Sequence, residues 1–89
     1  MRYNFPRVKF VSNNAIIKQI EHLQSEVNEV LEAAMTPDIE HLAEELMDVL
    51  HSAETALRVL EEFHGVNLCR VRCLVERKNF ERFYYDDEP

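Results

Sequence analysis

Glycine is almost absent from this chain: one residue in 89, Gly65. Glycine-rich phosphate loops and dinucleotide fingerprints need several glycines at fixed spacing, so both are excluded. Tryptophan is missing, and cysteine occurs only as Cys69 and Cys73. Two cysteines four apart on a helix suit disulfide geometry poorly and make no disulfide framework. No apolar run is long enough to cross a bilayer, and nothing at the N-terminus resembles a signal peptide. No membrane partner is therefore expected, and a cytoplasmic, reducing location is. Positive charge is scarce too: 10 Lys and Arg against 17 Asp and Glu, a net charge of −7. Nucleic-acid backbones require cationic surface, so nucleic acid is not an expected partner.

What is present is apolar surface and unevenly placed charge. Residues of apolar type make up 46% of a chain short enough to be a single small domain with a modest core. The surplus predicts self-association, as a homodimer or homotetramer. From Glu21 to Glu62 there are twelve acids and one base, Arg58; from Gly65 to Phe83 there are five bases and two acids. An acidic middle followed by a basic segment suits a site with a metal on one wall and phosphate on the other, or two solvated faces that pair electrostatically.

The periodicities predict an all-α fold: an antiparallel bundle of three principal helices with an extended N-terminal arm, completed by oligomerisation. The arm covers residues 1–12, with Tyr3, Phe5, Val8, Phe10 and Val11 apolar and Pro6 interrupting. The helical domain covers 13–83. Its first helix is capped by Ser12, Asn13 or Asn14 and runs to about Ala34, with an apolar stripe of Ile16, Ile20, Leu23, Val27, Val30 and Ala34. Thr36-Pro37-Asp38 supplies a cap, a proline for the first helical position and an acid for the dipole. The second helix runs to Phe63 or His64, with Ile39, Leu42, Leu46, Val49, Leu50, Ala53, Leu57 and Leu60 on its apolar face, and Gly65 ends it. Asn67 caps a third helix reaching about Phe83 and burying Leu68, Val71, Leu74, Val75 and Phe80. Residues 84–89 form an acidic, frayed tail.

Two acidic motifs stand on the first two helices: Glu26-Val27-Asn28-Glu29 and Glu45-Leu46-Met47-Asp48, the latter preceded by Glu44. Side chains three apart share a helix face, so each motif aims two carboxylates one way. If the helices pack side by side, four or five carboxylates converge. Such a cluster repels itself unless a cation sits in it, and Mg²⁺ takes oxygen ligands and bridges carboxylates to phosphates. The residue types point to metal-assisted phosphate chemistry.

These motifs, with Leu23-Gln24-Ser25 before the first and Val49-Leu50 after the second, resemble the MazG-like all-α nucleoside triphosphate pyrophosphatases. Glu76-Arg77-Lys78-Asn79-Phe80-Glu81-Arg82 resembles the K-N-x-x-R segment that closes that domain, and the likeness covers roughly residues 16–83. In one departure, Ser25 stands where the family often has a further acid, which leaves the number of bound ions open. The resemblance implies hydrolysis of an NTP or dNTP to the monophosphate and pyrophosphate, in nucleotide-pool housekeeping. It implies metal ligation of Mg²⁺, or Mn²⁺, by Glu26, Glu29, Glu45 and Asp48. Glu44 and Glu45 are the candidate catalytic acids, Glu44 orienting the attacking water. Lys78 and Arg82 would grip phosphates, and Asn79 sugar or base. Two alternatives stand beside it: a phosphoribosyl-ATP pyrophosphatase-like enzyme, and a non-enzymatic helical module that kept the fold.

His22, His41, His51 and His64 lack zinc-type spacing with the cysteines and read as structural, with His51, one turn beyond Asp48, able to reach a phosphate or order the site. Cys69 and Cys73 read as small core residues. Tyr3, Phe5, Phe80, Phe83, Tyr84 and Tyr85 would either stack on a base or cover a core or interface, and the arm would lie across a neighbouring subunit.

Overall fold

A computed structural model describes residues 2–9, 11 and 16–86. Three helices follow one another: α1 (Ile16–Ala34), α2 (Ile39–His64) and α3 (Leu68–Glu81), with no strand among the described residues. The all-α architecture expected from the sequence is present. The proposed caps Ser12, Asn13 and Asn14 lie outside the described residues, as do Phe10 and the last three residues of the tail.

Local chemistry accounts for the helix ends. Asp38 caps α2: its carboxylate accepts from the His41 N–H at 3.0 Å. Thr36 is not the cap; its hydroxyl donates to the Ala33 carbonyl at 2.8 Å, closing the end of α1 instead. Pro37 accordingly lies outside the helix, two residues before its start. At the other end Gly65 sits at φ 67°, in the left-handed region that costs glycine nothing. The Gly65 and Val66 N–H groups both return to the Leu60 carbonyl, closing the end of the helix. Asn67 caps α3 by accepting from the Arg70 N–H at 3.1 Å.

Helices α1 and α2 pack along one another as an antiparallel pair. Their contact face is not the plain apolar stripe. On α1 the buried positions are Gln19 and Ala33, while Ile20 and Val27 are exposed, so the packed face is turned by about one residue. The cause is a buried polar clasp. The Gln19 amide donates to the Ser52 hydroxyl at 2.9 Å and to the Ser52 carbonyl at 3.1 Å. Buried polar groups are expensive unless paired, so this clasp fixes the register of the two helices. Seven residues on along α1 is Glu26, and seven residues back along α2 is Glu45. Two helical turns in opposite directions thus bring these acids level.

Helix α3 corrects a further expectation. Leu68 is buried, but Val71, Leu74, Val75 and Phe80 are exposed, and so are Cys69 and Cys73. The reason is tertiary: α3 packs along neither of the other helices. The Cα radius of gyration is 15.2 Å, against about 12 Å for a compact chain of this length. Helix α3 ends at Glu81, and Phe83 takes a left-handed φ of 60° just beyond it. Within the described residues, no helix is long and apolar enough to cross a membrane.

The arm lies on α2 of its own chain. Both oxygens of the buried Glu54 carboxylate accept from the Asn4 N–H at 3.0 Å, and Oε1 also accepts from the Phe5 N–H at 3.0 Å. Arg58 donates to the Phe5 carbonyl, and its guanidinium stands 4.0 Å over the Tyr3 ring. The Tyr3 hydroxyl donates to Glu61 at 2.7 Å, and Arg7 pairs with Glu62 at 2.9 Å. Glu54, Arg58, Glu61 and Glu62 follow helical spacing, so one face of α2 receives the strap.

Candidate metal centre

The register set by Gln19 and Ser52 brings Glu26, Glu29 and Glu45 together, each with a carboxylate oxygen within 4.8 Å of the others. Glu26 and Glu45 are mostly covered, with side-chain exposures of 13% and 16%. One oxygen of each, Oε2, is buried with no hydrogen-bond partner among the described residues. Burial foremost, then the charges of Glu29 and Asp48, pushes the Glu26 carboxyl above its ordinary range, against a lowering effect of His22. Burial also leads for Glu45, followed by a carboxyl–carboxyl hydrogen bond with Glu29 and the charges of Glu29 and Asp48, with His41 opposing. Orphaned oxygens and mutual repulsion of this kind would be relieved by a bound cation. The all-oxygen donor set fits a hard divalent ion such as Mg²⁺ or Mn²⁺.

The other expected residues divide. Asp48 is exposed beside the trio; with Glu26, Gln19, His22, His51 and Ser52 it lines a cavity of about 110 Å³. On the opposite side Glu29 and Glu45 line a wider cleft of about 470 Å³ with Glu32 and His41. Glu44 stands apart, its side chain 68% exposed and facing His41 Nδ1 at 3.9 Å rather than the trio. Lys78, Asn79 and Arg82 are not brought to the acids in this chain: they lie on α3 and its end, and none lines either recess. The Ser25 hydroxyl donates to the His22 carbonyl at 2.7 Å, so it is tied to its own helix and does not replace the missing acid.

Two histidines at the site carry a sequence signal other than zinc-type spacing. His22 Nε2 lies 3.1 Å from Glu26 Oε1, and His41 Nε2 lies 3.6 Å from Glu45 Oε1. Both are i, i+4 pairs visible as H-x-x-x-E in the sequence. Gln19 left no such mark, because its importance depends on a partner 33 residues away. Of the aromatic candidates, Tyr3 and Phe5 belong to the strap, while Phe80, Phe83, Tyr84 and Tyr85 are exposed.

No curated protein and no solved structure matches the chain. A family model does match, that of the MazG nucleotide pyrophosphohydrolase domain, over residues 15–83. That span contains all three helices and every residue of the acid cluster and leaves residues 1–14 and the tail outside it. With the matched segment covering most of the chain and the carboxylates converging inside it, the protein belongs to the MazG nucleotide pyrophosphohydrolase family.

Proposed function

We propose that the protein is a Mg²⁺-dependent nucleoside triphosphate pyrophosphohydrolase, converting NTPs or dNTPs to the monophosphate and pyrophosphate. The observation that carries this reading is the trio of converging carboxylates, two of whose buried oxygens have no partner among the described residues, inside a domain of this family. Glu26, Glu29 and Glu45 would hold the ion, with Asp48 completing the donor set from the edge of the cavity. Bound there, Mg²⁺ supplies charge neutralisation on the phosphate oxygens and a water of lowered pKa. Mn²⁺, with the same oxygen preference, is the natural substitute. The chain's own residues do the rest. The Gln19–Ser52 clasp keeps the two acidic motifs level, and His22 and His41 brace Glu26 and Glu45 from their flanks.

Among the described residues no Lys or Arg lines either recess, and Lys78, Asn79 and Arg82 sit on an unpacked helix and its end. Exposed Ile20, Val27 and Leu31 on α1, Leu46 and Leu50 on α2, and Val71, Leu74 and Val75 on α3 leave apolar surface uncovered. We infer that the active form is a homodimer or homotetramer in which a second copy covers these faces and α3 approaches an acid cluster. Sedimentation equilibrium tests this: a monomer at micromolar concentration contradicts it.

The test of the activity is pyrophosphate release from a panel of ribo- and deoxynucleoside triphosphates and phosphoribosyl-ATP, with Mg²⁺, with Mn²⁺ and with EDTA. Metal-dependent release that disappears in Asp48→Asn and Glu45→Gln is the expected result. Release from phosphoribosyl-ATP alone would reassign the substrate, and no release from any of them would reject the enzyme.

A further inference from the structure

The matched family domain begins at residue 15, yet the arm before it reaches the candidate site. Its attachment to α2 runs through the backbone of Asn4 and Phe5, held by Glu54 and Arg58, and through the side chains of Tyr3 and Arg7. That leaves the Phe5 side chain for another task. Its ring stacks on the His51 imidazole with centroids 4.6 Å apart and planes 14° from parallel. His51 and Val8 line the same cavity as Glu26 and Asp48. His51 Nε2 is buried and has no hydrogen-bond partner among the described residues, although a buried polar atom left unpaired is costly. The cavity, about 110 Å³, has room for a phosphate group or a few waters.

We propose that His51 is a substrate-contacting residue positioned by the arm. Phe5 holds the imidazole at the wall of the Glu26–Asp48 cavity, where Nε2–H donates to a phosphate oxygen of the bound nucleotide. The arm is then part of the active site, latched by Glu54 and Arg58 and acting through one ring. This assignment rests on the pyrophosphohydrolase reading.

The experiment compares wild type with His51→Phe, His51→Gln, Phe5→Ala, Phe5→Leu and the His51→Phe/Phe5→Ala double variant. Three readouts are taken: the affinity for inorganic pyrophosphate with Mg²⁺ by calorimetry, kcat and KM for the nucleotides hydrolysed, and the Mg²⁺-induced melting shift. His51→Phe keeps the stacked ring but loses the donor, and should weaken pyrophosphate binding about tenfold. His51→Gln, which restores a donor, should recover part of it. Phe5→Ala should lose several-fold, and the double variant should be no worse than His51→Phe, because the ring acts through the imidazole. The Mg²⁺-induced shift should stay unchanged throughout, since the ion is held by the acids. Phe5→Leu covers the case in which Phe5→Ala does not fold; it keeps apolar bulk without the ring stack and should behave like Phe5→Ala. Wild-type affinity in His51→Phe, or strictly additive losses in the double variant, would overturn the role of His51 or of Phe5. A wild type that neither hydrolyses any nucleotide nor binds pyrophosphate would overturn the functional reading itself.

Discussion

The two halves of α2 treat their acids in opposite ways. In the C-terminal half Glu54, Glu61 and Glu62 each have partners from the arm: two backbone N–H groups, the Tyr3 hydroxyl and the Arg7 guanidinium. Those partners hold the carboxyls of Glu61 and Glu62 below their ordinary range, through the hydrogen bonds from Tyr3 and Arg7 respectively. In the N-terminal half Glu45 meets Glu26 and Glu29, and Glu26 and Glu45 are pushed up instead. One helix thus carries a satisfied acidic face and an unsatisfied one. A chain that satisfies both oxygens of the buried Glu54 at one end, and at the other leaves one buried oxygen of Glu26 and one of Glu45 without a partner among the described residues, marks the second end as the place where something else binds.

The sharpest way to break the comparison is to remove a carboxylate from the unsatisfied half. Glu45→Gln should lower pyrophosphate release at least about a hundredfold, as expected for a lost metal ligand, with the helical circular dichroism unchanged. Retained turnover would end the assignment.

Breaking the satisfied half should instead cost structure. Glu54→Ala leaves the Asn4 and Phe5 N–H groups without their acceptor and should destabilise the docked arm by about 2 to 4 kcal/mol. Hydrogen exchange at those two amides should accelerate, and the Mg²⁺-induced melting shift should persist. Exchange as slow as in wild type would show that the arm is held by other means.

The two halves should also respond to pH with opposite sign. Glu26 and Glu45 keep their protons in the folded state after the unfolded chain has released them. Their contribution therefore falls as pH rises from the ordinary carboxylate value, 4.5, through the raised folded values. Glu61 and Glu62 do the reverse: their stabilisation is present above 4.5 and is lost as pH falls through the lowered folded values. Without metal, Glu26→Gln should consequently raise the melting temperature at neutral pH by a few degrees while abolishing the rise that Mg²⁺ gives wild type. A lower melting temperature in that variant would contradict the repulsion. The smallest effect is expected at the exposed Arg7–Glu62 pair, where Arg7→Ala should leave the chemical-denaturation midpoint almost unchanged.

What was legible in the sequence was local. Gly65 and Asn67 act through neighbours within about a turn and appear where their spacing puts them, whereas of the acidic motifs Glu26, Glu29 and Glu45 converge across two helices, with Asp48 beside them and Glu44 apart. The cap of α2 lies two residues beyond Thr36, because Thr36 and Asp38 are both good caps and only the geometry of the Ala33 turn decides between them. The packed face of α1 was hidden because a glutamine defines it, through Ser52 on the next helix. The exposure of Val71, Leu74 and Phe80 was hidden for a related reason: apolar periodicity shows that a face wants cover, not which surface covers it. The strap joins residues about 50 apart, a separation that no periodicity reports.

The most direct test of the central claim is anomalous diffraction from crystals grown with Mn²⁺. A peak coordinated by oxygens of Glu26, Glu29 and Glu45, with Asp48 at its edge, is the expected result. Diffraction showing Mn²⁺ bound elsewhere, or these carboxylates still facing one another with no ion between them at millimolar Mn²⁺, would contradict it.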